Sequence, residues 1–162
     1  MTLSLLELSA TDIETIAVSC VPASVAAIAE PGSMPPAFVA QRALALIAAG
    51  QPNPWATIFL IVDDLNGRIV GACGFKTAPR HGRVEVGYGV APVARGKGAA
   101  TAALGLLVQK AYMAGATEVL AEVAPDNHAS TRVVQKAGFT IAGSRLDDEN
   151  EYVIQWLLSR EG

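Results

Sequence analysis

Apolar and polar residues alternate loosely from Thr2 to Leu8, which predicts a short first strand. Thr11-Asp12-Ile13-Glu14 has the spacing of a reciprocal helix cap and predicts a helix to about Ser19. From Val21 to Pro36 the prolines Pro22, Pro31, Pro35 and Pro36, with Gly32, break every period, so this stretch reads as loop with a single helical turn. Pro36 suits the first position of a helix that runs to Ala49 and stops at Gly50. Ala56–Val62 and Arg68–Phe75, both rich in Ile and Val, flank Asn66-Gly67 and predict a tight hairpin. Arg83–Val90 forms a third strand after the turn at Pro79–Gly82. Ala100, Ala103, Leu104, Leu107, Val108 and Ala111 then fall on one stripe of a helix over Ala99–Ala114. A strand over Val119–Val123, a helix over Asn127–Ala137 stopped by Gly138, and a last pair over Phe139–Ala142 and Tyr152–Leu158 complete the chain. This order predicts one α+β (mixed α/β) domain over residues 1–162, without repeat or linker.

Composition narrows the class. Of 162 residues, 51% are hydrophobic and 17% charged, enough to bury a core and too apolar for disorder. The mean hydropathy of +0.36 does not imply a membrane partner. Much of it is alanine, and the longest apolar runs, Ala43–Ala49 and Ala102–Val108, fall well short of the roughly 20 residues of a span. The first residues, Met1 to Glu7, lack a basic leader pattern. Cys20 and Cys73 stand too far apart for a disulfide framework or metal knuckle, so the expected setting is cytoplasmic, with no metal. A net charge of −3 argues against nucleic acid as the partner. Yet between Lys76 and Lys97 five basic residues face a single acid, Glu85, a local imbalance that suits an anion site.

The loop after the third strand carries that site. In Arg95-Gly96-Lys97-Gly98-Ala99-Ala100, small residues let successive backbone N–H groups turn toward one point at a helix start. The helix dipole and the flanking Arg95 and Lys97 add positive charge, and together these suit a pyrophosphate. A Walker loop would require Ser or Thr after Gly96-Lys97, where Gly98 stands; a dinucleotide fingerprint would require a small residue at Thr101. Along the strand, Glu85, Gly87, Gly89 and Ala91 share one face, a carboxylate beside glycines that weaken a strand interior. Such a face suits a ligand lying close against the backbone, as an added strand would. Farther on, Asn127 caps a helix whose first turn holds Ser130 and whose end is Lys136-Ala137-Gly138-Phe139.

These segments, in this order, resemble the GNAT superfamily of N-acetyltransferases. Arg95-x-x-Gly98-x-Ala100 matches its acetyl-CoA motif. Asn127-x-x-Ser130 with Lys136-Ala137-Gly138-Phe139, Glu85-Val86-Gly87-Tyr88 and Gly71-Ala72-Cys73-Gly74-Phe75 are similar to the branch that includes ribosomal-protein N-terminal acetyltransferases. The resemblance implies a central, mostly antiparallel sheet of six to seven strands flanked by about four helices. It implies acetyl-CoA as cosubstrate and transfer of the acetyl group to a primary amine, either a peptide N-terminus or a small amine, and it allows a homodimer. Backbone at Tyr88, Gly89 and Val90 would receive the pantetheine arm, and Arg95, Gly96, Lys97, Gly98, Ala99 and Ala100 would hold the pyrophosphate. Asn127 would bond the arm near its far end, and Ser130 would lie near the sulfur.

The chain departs from the family at Val134, where many members carry a tyrosine acid. Ser130 or a water then remains as proton donor, and Val134→Tyr is expected to be tolerated or to compensate for loss of Ser130. An attacking amine must be neutral, so a carboxylate is needed to take its proton. Glu85 is the first candidate, Glu122 the alternative base, and Glu149 in the acidic turn reads as solvated. A domain of the same fold that binds acyl-CoA as a sensor or scaffold, and a transferase of longer acyl chains or to hydroxyls, are the alternative readings.

Overall fold

The computed structural model describes residues 2–160; Met1, Glu161 and Gly162, the ends of the expected domain, lie outside them. The strands are β1 (Leu3–Glu7), β2 (Ile58–Asp63), β3 (Arg68–Phe75), β4 (Arg83–Val90), β5 (Glu118–Val123), β6 (Thr140–Leu146) and β7 (Tyr152–Ser159). The helices are α1 (Ala10–Ala17), α2 (Ala37–Ala48), α3 (Ala99–Met113) and α4 (His128–Lys136). One sheet of seven strands has the order β1-β2-β3-β4-β5-β7-β6. Every neighbouring pair is antiparallel except β4 and β5. The expected mixed sheet and four helices are therefore present.

Period-two alternation sorts the core into two layers. Ala40 and Ala43 of α2 and Ile13 and Ile16 of α1 pack on Ile58, Leu60, Ile69 and Ala72. On the opposite face, Leu104, Leu107 and Ala111 of α3 pack on Phe59, Ile61, Cys73, Val84, Val86, Val119 and Ala121. Alanine on α2 and α3 brings these helices close to the sheet, which is how an alanine-rich chain still fills a core.

Two local expectations shift. The first helix is capped by Ser9, whose Oγ accepts from Asp12 N at 3.2 Å; Thr11 lies inside the helix. The chain leaves the sheet at Leu8, whose N–H donates to Ile58 O at 3.0 Å, so the helix starts two residues before the Thr11-x-x-Glu14 spacing suggests. The β2–β3 connection is the expected hairpin, closed by a four-residue turn, Asp64 to Gly67. Asp63 and Asn66 side chains accept from Leu65 N and Arg68 N, and Gly67 takes the left-handed backbone, φ +71°. Finally, β6 extends to Leu146, well past Ala142, because pairing with β7 supplies what its exposed and nearly unpatterned sequence does not. The stop at Gly138 is as expected: φ is +93°, and Phe139 N donates to Val134 O at 3.0 Å.

Candidate active site

Strands β4 and β5 run parallel through only three residue pairs, Arg83 with Glu118, Val84 with Val119 and Glu85 with Leu120. Beyond Glu85 they part. Lys76 N donates to Glu85 O and Ala91 N to Val70 O, so the odd-numbered residues of β4 spend their backbone groups on β3. By the same alternation Tyr88 and Val90 turn their backbone groups toward the gap, where no strand takes them. A cleft of about 710 Å³ occupies this gap and is walled by both layers of the protein. It thus passes through the sheet, from the side of α3 and α4 to the side of α2.

At one mouth, a single 3-10 turn (Pro92–Ala94) leads through Arg95 into the start of α3. Gly96 and Gly98 have φ +75° and +81°, and a Cβ at either would meet open space. Glycine is needed here for backbone conformation and not for packing room. The first intrahelical bond that Gly98 O accepts comes from Ala102 N, which leaves the first-turn amides of α3 without helical partners. Arg95, Lys97 and both glycines are exposed beside them, and Arg95 and Ala100 line the cleft. The residues at this mouth fit a doubly charged phosphate group, and the strip of free β4 backbone leading inward fits an amide-bearing arm.

On the α4 side of the gap, Asn127 Oδ1 accepts from Ser130 N at 3.1 Å as the helix cap. The cap uses only the oxygen, so the Asn127 amide nitrogen stays available to the cleft that it lines. Ser130 Oγ lies 2.7 Å from the Tyr88 hydroxyl, a hydrogen bond between α4 and β4 across the gap. Burial pushes the Tyr88 phenol above its ordinary value, against the pull of that hydrogen bond. The phenol therefore keeps its proton at neutral pH. Tyr88 thus brings its side chain to the site as well as its backbone, and the sign of this in the sequence is a tyrosine on the β4 face opposite the glycine row.

Val134 is a different case from the expectation. It is fully buried in the core with Phe139 and Trp156, and Val133 lines the cleft in its place. A tyrosine at 134 would overfill a packed core, so Val134→Tyr is not a conservative repair. Cys73 also lines the cleft, but burial pushes its thiol up to about 12, so it offers no thiolate nucleophile near neutral pH.

The carboxylates lie on the α2 face. Glu85 sits on β4 with its Oε2 2.7 Å from Lys76 Nζ, an ion contact without hydrogen-bond geometry. The Lys76 stem runs over Gly87, whose Cβ would lie 3.5 Å from Lys76 Cε, and Lys76 lines the cleft while Glu85 does not. Glu122 does line it. Its carboxylate is gripped by Arg145, with Nε 2.5 Å and Nη2 2.7 Å away, and accepts from Gln155 Nε2 at 3.0 Å. Hydrogen bonding from Arg145 holds Glu122 below the usual carboxylate range despite partial burial. Glu149 is exposed in the turn after β6 and does not line the cleft.

The Glu122–Arg145 pair makes a stability prediction. A carboxylate with a depressed pKa in the fold stabilises it above the unfolded value and loses that contribution as pH falls through the folded value. Melts followed by circular dichroism should show wild type exceeding Glu122→Gln most at neutral pH, with the gap closing on acidification through the carboxylate range. A gap independent of pH would locate the effect elsewhere.

The sheet thus opens between a parallel pair, with free helix-start amides at one mouth and two ion-paired carboxylates on the α2 face. The chain belongs to the GNAT acetyltransferases: the acetyltransferase (GNAT) domain matches residues 2–140. Among solved structures it is similar to ribosomal-protein-S5-alanine acetyltransferase from Vibrio fischeri, at 21% identity over 98% of this chain and 93% of that one, TM-score 0.70. It is also similar to aminoglycoside acetyltransferase AAC(6')-Ib in complex with coenzyme A, at 16% identity over 98% and 95%, TM-score 0.68. A phosphinothricin acetyltransferase from Sinorhizobium meliloti in complex with AcCoA matches at 21% identity over 98% and 89%, TM-score 0.66. Among curated proteins, none matches by sequence. No helix among the described residues is long and apolar enough to cross a membrane.

Proposed function

We propose that this protein transfers the acetyl group of acetyl-CoA to the primary amine of a small molecule or peptide N-terminus by direct attack. The observation that carries this reading is the cleft between β4 and β5, which joins the anion mouth to a carboxylate-bearing face through the sheet. The amides of Gly98, Ala99 and Ala100, with Arg95, Gly96 and Lys97, hold the pyrophosphate. Tyr88 and Val90 present free β4 backbone groups to the pantetheine arm, Gly89 between them is bonded to β3 and contributes only its lack of a side chain, and Asn127 donates to the arm from the opposite wall. A backbone N–H at Val90 or nearby stabilises the polarised carbonyl. Structures of similar fold described as complexes with CoA and AcCoA support this assignment. Two unpaired cysteines, Cys20 exposed and Cys73 buried, support a reducing, cytoplasmic setting.

In the transfer, the amine nitrogen bonds to the carbonyl carbon, the carbon–sulfur bond breaks, and the ammonium proton leaves. Glu85 takes that proton through a water, because Lys76 stands between its carboxylate and the cleft. Glu122 is the weaker base, since Arg145 and Gln155 stabilise its charged form. The departing thiolate takes a proton from Ser130, which is resupplied by Tyr88 through their shared hydrogen bond. The help required is modest, because a thiol of pKa about 8.5 is already a fair leaving group.

Thiol release from acetyl-CoA over a panel of amines tests the reading. Wild type should release thiol with at least one amine. Ser130→Ala and Tyr88→Phe should each lower kcat by about 10-fold, less than the usual acid–base effect because the thiolate needs little help to leave, and the double variant should be little worse than either. Tight acetyl-CoA binding with no release to any amine would instead mark a non-catalytic acyl-CoA sensor.

A further inference from the structure

The cleft wall on the α2 side contains an unmatched cation. Arg42 projects from α2 into the cleft, is half-buried, and makes no hydrogen bond or ion pair among the described residues. Burial pushes its pKa down and the negative field of Glu85 opposes this, so the guanidinium sits where water is restricted without a contacting carboxylate. A guanidinium stays charged even so, and an unpaired one in a partly dry site is costly unless a ligand completes it.

The charges on this face support the same reading. Arg42, Lys76 and Arg145 stand against Glu85 and Glu122, and both carboxylates already have cation partners in Lys76 and Arg145. Asp148 adds a third negative charge near Arg145, so the face is close to balanced and Arg42 is its one cation without a contacting carboxylate among the described residues. The loop before α2 adds a second unfilled group: the Ser33 hydroxyl lines the cleft, is 2% exposed and has no hydrogen-bond partner. Met34, Phe38 and Val39 surround these with apolar surface. A polycationic amine would be repelled by Arg42 and would leave it unmatched. An amine that also carries an anion would not.

We propose that the acceptor is a zwitterionic amine of the amino-acid class, its carboxylate received by Arg42 while its amine is directed at the thioester. A guanidinium presents two parallel N–H donors to a carboxylate, so the pair orients the acceptor as well as attracting it. Arg42 is then a specificity-determining residue, and Met34, Phe38 and Val39 select for an apolar side chain. This rests on the acetyltransferase reading above.

The test compares L-amino acids with their amides, and with linear diamines, as acceptors for wild type, Arg42→Gln and Arg42→Lys. Wild type should favour at least one amino acid over its amide by about 10- to 100-fold in kcat/KM, the scale of a charge-assisted pair. Arg42→Gln should bring that ratio near one, mainly through KM, with unchanged acetyl-CoA affinity, and Arg42→Lys should restore part of it. Amides or diamines preferred by wild type, or a ratio unchanged in Arg42→Gln, would overturn the proposal while leaving acetyl transfer intact. Saturation-transfer NMR with the amino acids in the presence of CoA separates the two readings. Arg42-dependent binding without thiol release would uphold this site and overturn the transfer reading; no binding to wild type would overturn this site.

Discussion

Gly98→Asp should lower acetyl-CoA affinity by at least about 100-fold, some 2.7 kcal/mol, while the protein remains folded. At φ +81° the position favours glycine, but aspartate is among the side chains that tolerate this backbone best, and a Cβ there meets open space. The fold is therefore expected to lose only about 1 kcal/mol. The added carboxylate, in contrast, projects beside the free amides at the start of α3, where the proposed pyrophosphate sits. It repels the ligand and competes for its donors. Gly98→Ala separates the two effects, since it carries a backbone cost at least as large without the charge, and should weaken binding by less than about 10-fold. Titration calorimetry on both variants measures the difference. Equal affinity in wild type and Gly98→Asp would remove the anion site from this loop.

Glu85→Gln should reduce kcat by about 10²- to 10⁴-fold, with acetyl-CoA affinity unchanged and the acidic limb of the pH–rate profile lost. The substitution keeps the shape of the side chain and removes the proton acceptor. It also leaves Lys76 without its ion partner at 2.7 Å, so Lys76→Met is the necessary companion. If Glu85 acts as base, Lys76→Met retains the acidic limb, whereas Glu85→Gln does not. Glu122→Gln should have the smaller effect on kcat, because its carboxylate is committed to Arg145 and Gln155. A Glu122→Gln variant that loses turnover while Glu85→Gln keeps it would move the base to β5.

The two assignments differ in how far the sequence supported them. For the anion loop the signal was local. Backbone amides at a helix start need only small residues and the right φ, and both are properties of Gly96-Lys97-Gly98-Ala99-Ala100 itself. For the base the signal was alternation along β4, which places Glu85 with the glycines correctly. Alternation cannot show that Lys76 crosses over Gly87 and stands between Glu85 and the cleft. Val134 illustrates the same limit: a family comparison at one position predicts a missing phenol, yet Tyr88, far away in sequence, brings a phenol to Ser130.

The sequence by itself determined the element order, the sorting of β4 into two faces, the glycine-led start of α3, the Asn127 cap and the Gly138 stop. Each depends on period, on a left-handed backbone position or on a side chain bonding three residues ahead, and these interactions act within one or two turns of chain. Tertiary structure decided where β4 and β5 separate, how far β6 extends along β7, which hydroxyl meets Ser130, and that Arg42 enters the cleft unpaired. Each of these joins residues from different elements, most of them tens of positions apart, and their meeting is set by sheet register and by how closely alanine lets α2 and α3 approach the sheet.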